Sequence, residues 1–223
     1  MHNNLLSQDI LDCLSSEMNI NLNHFLVKYN SFDNSFKIKA RELLTLMLAD
    51  SRKSSQFDAE VHYYEEGTDT ENEFMQSMFD CFKELNSKQG LELHKALYEH
   101  TNRGGDNWFP VVQITSPVAD YSSTPKVLTV YRGCHIGEFN NKCFRQSWSL
   151  DFEIAKAFAF TYFNIDKEQR VVIKATVSNS DIAWLRGSES EAVLLPRCKP
   201  LNPEIKQSYN QYLQNLINES PKR

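Results

Sequence analysis

Residues 127–163 read VLTVYRGCHIGEFNNKCFRQSWSLDFEIAKAFAFTYF, and the fold class turns on this stretch. Val127–Tyr131 is rich in β-branched and aromatic residues and predicts a strand. Cys143–Trp148 predicts a second. Asp151 is a natural N-cap, and Ile154, Ala155, Phe158, Ala159 and Tyr162 follow at helical spacing, so a helix is expected over Asp151–Phe163. Downstream, Arg170–Val177, Ile182–Trp184 and Ala192–Leu195 predict further strands, and Pro203–Ile217 a short C-terminal helix. Upstream, Trp108–Ile114 is apolar and β-rich, and Ser116–Pro125 reads as a loop. Strands in a row with one helix among them argue for an α+β sheet domain over alternating βαβ units.

The region before this reads as helical. Leu5, Leu6, Ile10, Leu11 and Leu14 form one stripe. Leu22, Phe25, Leu26 and Tyr29 form the next, then Ile38, Leu43, Leu44, Met47 and Leu48. Phe74, Met75, Met78, Phe79, Phe82 and Leu85 give the clearest stripe, with Thr68–Asn72 as an acidic loop or helix start. A last helix through Leu91, Leu93, Leu97 and Tyr98 is expected to stop near Gly104-Gly105. The expected organisation is a helical region over 1–105 and a sheet core over 106–223, possible as one continuous domain.

The 223 residues carry 24 Lys+Arg and 29 Asp+Glu, a formal net charge of −5. Hydrophobic content of 41% with 7 Gly and 7 Pro excludes a collagenous, low-complexity or largely disordered chain. No apolar run approaches the roughly 18 residues of a membrane helix. The N-terminal stretch lacks a positive segment followed by an apolar one, so no secretory signal is expected. Five dispersed cysteines without a C-x-x-C pair predict reduced thiols and a cytoplasmic location. Cys134-His135 with Cys143 fits no common zinc spacing, so no metal is expected. Residues 1–125 hold 10 Lys+Arg against 19 Asp+Glu, whereas 126–223 hold 14 against 10. That asymmetry, with its acids concentrated in 54–84, reads as a solvated helix face and loop, or alternatively as a second half that meets an anion such as a phosphate.

Several chemistries lack their residues. There is no G-x-G-x-x-G after a strand, no phosphate-binding G-x-x-x-x-G-K-[ST], no G-x-S-x-G elbow and no kinase set. His94 and His100 stand six apart and share no helix face.

Three pieces remain, in order. Tyr131-Arg132-Gly133 ends a predicted strand. Ser147-Trp148-Ser149 ends another and precedes the helix with Ala155 and Phe158. Glu189-Ser190-Glu191 leads into a strand with Val193 and Leu194. Together they resemble the mono-ADP-ribosyltransferase family, in its toxin-like Arg–Ser–Glu branch. The likeness covers about residues 127–196 and departs at Trp148, where many members carry Thr. It implies a two-sheet β core, with NAD⁺ as co-substrate and transfer of ADP-ribose to a macromolecular acceptor, either protein or nucleic acid. It also implies a bacterial or phage-related toxin or effector setting, an antitoxin as a possible partner, and no membrane partner.

The residues suit that chemistry. Arg132 offers a fork of donors for phosphate. Ser147 can organise the site by hydrogen bonding. By resemblance, Glu191 holds the ribose hydroxyl, and Glu189 faces the acceptor, with Arg186-Gly187-Ser188 as the turn that reads it. Arg132, Ser147, Glu189 and Glu191 are therefore the expected catalytic set. Gly133, Trp148, Ser149 and Phe158 complete the expected NAD⁺ site, with Trp148, Phe158 or Phe160 against the nicotinamide. The alternatives are NAD⁺ glycohydrolysis, with water as acceptor, and a binding module that keeps the fold without the chemistry.

Overall fold

A computed structural model describes residues 6–53, 68–101, 112–162, 166–187 and 190–219. The chain divides into two compact units, 1–113 and 114–223. The junction expected near Gly105, and Trp108–Val111 of the expected strand, lie outside the described residues.

The first unit is helical. Its helices are α1 (Gln8–Asp12), running into a π-helical turn at Cys13–Glu17, α2 (Leu22–Ser31), α3 (Asn34–Lys53), α4 (Asp69–Ser87) and α5 (Gly90–Thr101). Thr68 proves to be a helix start. Its hydroxyl accepts from Glu71 N, and the Glu71 carboxylate accepts from Thr68 N at 2.7 Å, closing a capping box on α4. The stripes meet in an aromatic cluster of Phe25, Tyr29, Phe32, Phe36 and Phe74, with ring centres 4.5–6.4 Å apart. His94 ties α5 to the turn before α2. Its Nε2 donates to Glu17 O at 2.9 Å, and its Nδ1 accepts from Asn19 Nδ2 at 3.1 Å.

The second unit holds β1 (Val127–His135), α6 (Ile136–Asn141), β2 (Ser147–Ser149), α7 (Phe152–Phe160), β3 (Arg170–Ser178), β4 (Ile182–Arg186), β5 (Glu191–Leu194), β6 (Leu201–Ser208) and α8 (Tyr209–Glu219). The α+β class is as expected. The strands form one six-stranded sheet, β4-β5-β2-β1-β3-β6, with every pair antiparallel. This corrects the two-sheet expectation. The join is narrow, however. β1 and β3 run together from Val127↔Ser178 to His135↔Arg170, whereas β1 and β2 share the single pair Tyr131↔Ser149.

One sheet face carries Val130, Cys134, Trp148, Ile173, Ala175, Ala192 and Leu194 as a buried cluster. On the other, Ala155, Ala159 and Phe160 of α7 pack against Val172. Gly133 permits this approach. A Cβ there would stand 2.2 Å from Ala155 O and 2.6 Å from Ala159 N.

Three local expectations are corrected. β2 starts at Ser147, four residues late; the Gln146 carbonyl still accepts from Leu194 N at 2.8 Å, and the Gln146 side chain bonds across to Ile114. Its amide accepts from Ile114 N at 3.0 Å and donates to the carbonyls of Ile114 and Leu194. Helix α6 was not expected; the His135 ring caps it by accepting from Gly137 N. The C-terminal segment is not one helix, since Leu201–Ser208 pairs with β3 as an edge strand before α8 begins. Pro203 falls in the irregular stretch between Lys174↔Glu204 and Thr176↔Leu201, where it costs no ladder hydrogen bond.

Candidate active site

The three-residue strand β2 is the common support of the expected site. On its β1 side, the Arg132 Nη1 donates to the Ser147 carbonyl. β1 and β2 have little backbone pairing here, and the guanidinium supplies a donor that a neighbouring strand would otherwise give. The rest of the fork is held by Glu138 of α6. Nε and Nη2 each donate to one carboxylate oxygen at 2.9 Å. The two side chains are 11% and 14% exposed, so this is a largely buried bidentate pair. Glu138 also accepts from Arg145 N at 3.4 Å.

On the β5 side, Ser147 registers with Val193, Trp148 with Ala192 and Ser149 with Glu191. Ser149 and Glu191 are each 6% exposed. The Ser149 hydroxyl accepts from Asp151 N at 3.0 Å, and Asp151 in turn caps α7 by accepting from Glu153 N at 2.7 Å. The loop entering β5 is tied down by Leu150 N, which donates to Ser190 O at 2.8 Å. Ser190 adopts φ +45°, a left-handed turn immediately before Glu191. Arg186 of β4 lies opposite Glu191 in register, and its Nη1 donates to Glu191 Oε2.

Strand alternation sorts these groups. Arg132 has the parity of Val130 and Cys134, whereas Glu191 has the parity opposite to Ala192 and Leu194 of that same cluster. Arg132 and Glu191 are thus brought to β2 from its two sides and do not share one sheet face. Tyr131, Ser149, Glu191 and Arg186 follow one another in register across four strands, on the side opposite that cluster.

The other expected residues divide. Gly133 serves the close packing of α7. Trp148 is corrected from a ring that stacks on ligand to a core residue. It is 2% exposed, donates through Nε1 to Arg145 O at 3.1 Å and meets Phe144 edge-on. Phe160 is buried against Tyr209 and Tyr212. Phe158 is half-buried and packs edge-on against Tyr162, which is 62% exposed. Glu189 lies outside the described residues. Among the described residues, no three His, Cys, Asp or Glu side chains gather to hold a metal, and no helix is long and apolar enough to cross a membrane.

Sequence reasoning missed Glu138, because six residues and a strand-to-helix corner separate it from Arg132. It also missed the pairing of Arg186, which it had read as part of the turn. Both signals were present as charge complementarity, without a spacing rule to select them. No protein-family model, curated protein or solved structure matches the chain.

Proposed function

We propose that the protein is an NAD⁺-dependent mono-ADP-ribosyltransferase with its site built around β2. One observation supports the reading: Arg132 and Glu191 both attach to the strand that carries Ser147, from its two sides, through the bond from Arg132 to the Ser147 carbonyl and the Ser149↔Glu191 register. In this reaction the bond between nicotinamide and ribose breaks. Its electron pair leaves with nicotinamide as a neutral group, so no general acid is required. The ribose is left oxocarbenium-like until the acceptor attacks. Glu191 supplies the carboxylate facing that developing positive charge and the ribose hydroxyl. Arg132 supplies donors for the pyrophosphate, which must share the guanidinium with Glu138. The acceptor is a macromolecule, either a protein side chain such as arginine or a nucleic acid, and the setting is that of a toxin or effector.

The test is Glu191→Gln, which keeps size and removes the charge. Nicotinamide release is expected to fall at least about a hundredfold when assayed well below the variant's own melting temperature. Near-normal turnover in that variant would refute the assignment. The same assay with labelled NAD⁺ separates transfer, in which label ends in protein or nucleic acid, from glycohydrolysis, in which it ends in free ADP-ribose. A second reading has its own support. Arg132 and Glu191 each hold a counter-ion from the same chain, as in a module that keeps the fold without the chemistry. Absence of nicotinamide release with any lysate favours it.

A further inference from the structure

Arg186 lies on β4 directly opposite Glu191 and reaches its carboxylate through Nη1. The pair is poorly accessible, at 20% and 7% side-chain exposure. Arg186 is itself fixed. Its guanidinium carbon stands 5.1 Å from the ring centre of Trp184, two residues back along the strand. The strand between them is anchored, because Leu185 N donates to the Tyr121 hydroxyl at 3.1 Å. A planar donor held on its own strand thus faces the Glu191 carboxylate.

Resting on the ADP-ribosyltransferase reading, we propose that Arg186 is a positioning residue that holds the Glu191 carboxylate in one orientation before NAD⁺ arrives. A carboxylate has room for about four hydrogen bonds, so a bond from Arg186 is compatible with one from a ribose hydroxyl. The guanidinium acts through Glu191 and need not touch NAD⁺. An orientation set in advance costs no reorganisation during bond breaking, so its benefit falls on turnover rather than on substrate capture.

The test uses the full-length chain and compares wild type, Arg186→Gln and Arg186→Lys by nicotinamide release and by melting temperature. Arg186→Gln is expected to lower kcat roughly ten- to a hundredfold, the scale of a misplaced reacting group. KM for NAD⁺ should stay within about twofold. Arg186→Lys restores the charge without the fork and should recover part of the lost kcat. A normal kcat in Arg186→Gln overturns the proposal. So does a loss confined to KM, or a loss of kcat that merely tracks melting temperature across the variants. Wild-type protein that releases no nicotinamide overturns the transferase reading, and the positioning role with it. A double-mutant melting cycle between Arg186→Gln and Glu191→Gln then distinguishes an ion pair in an inert protein, seen as coupling, from a contact that does not form.

Discussion

Arg132 shows how one residue serves the fold before it serves any ligand. Its fork closes on Glu138, and its remaining nitrogen completes the sparse join between β1 and β2. Removing it leaves Glu138, at 14% exposure, without its counter-ion and the Ser147 carbonyl without this donor. Arg132→Ala is therefore expected to cost about 3 kcal/mol. Arg132→Ala/Glu138→Ala, which removes both charges, should melt higher than the single variant, because an uncompensated buried charge costs more than a missing pair. Thermal melts of the three proteins decide it; a double variant less stable than the single would contradict the ion-pair account. Arg132 was legible as a strand residue, although β1 runs on to His135 and places it inside the strand rather than at its end. Its partner was not, since the corner that swings α6 back to β1 is a tertiary event.

At the scale of elements, the meeting of α7 with β1 rests on a missing side chain. Helix α7 was readable from its cap and stripe, and Asp151 caps it as expected. Gly133 was read as part of a ligand motif, yet backbone atoms of Ala155 and Ala159 occupy the space of its Cβ. Arg170, only 4% exposed, fastens the other end by donating to the carbonyls of Ala159 and Phe158. Gly133→Ala must push the helix from the sheet and is expected to destabilise by about 1–3 kcal/mol, the usual cost of overpacking. Circular-dichroism melts test this, and a melting point within a degree of wild type would show that α7 yields freely. The β6 error has a related cause. An edge strand with a largely solvated side needs no hydrophobic alternation, so Leu201–Ser208 carries little strand signal of its own. Its partner β3 confers the conformation.

For the whole molecule, the cysteines report burial in both units. Cys13, Cys81 and Cys134 are buried, Cys198 is half-buried and Cys143 is exposed. Burial raises the Cys81 thiol above its ordinary range. Burial, and then nearby Asp181, pushes Cys198 up to about 11. A brief iodoacetamide pulse on the native protein near pH 8, read by peptide mass spectrometry, is therefore expected to label Cys143 first. The thiolate reacts, and Cys81 and Cys198 hold little of it at that pH. Early labelling of Cys81 or Cys198 would contradict these environments.

The amino-acid order by itself determined the helical stripes before residue 100, the Asp151 cap, the strands around Arg132 and Glu191, and hence the α+β class. Each of these is a local periodicity or a local hydrogen bond, carried by residues a few positions apart. Only the tertiary structure decided that the strands join in one sheet through the single pair Tyr131↔Ser149. It alone decided that Trp148 belongs to the core, and that Glu138 and Arg186 hold the two charged residues of the site. Those outcomes depend on pairing across long stretches of chain. Many registers and partners satisfy the same local pattern, and burial of charge and apolar surface selects among them.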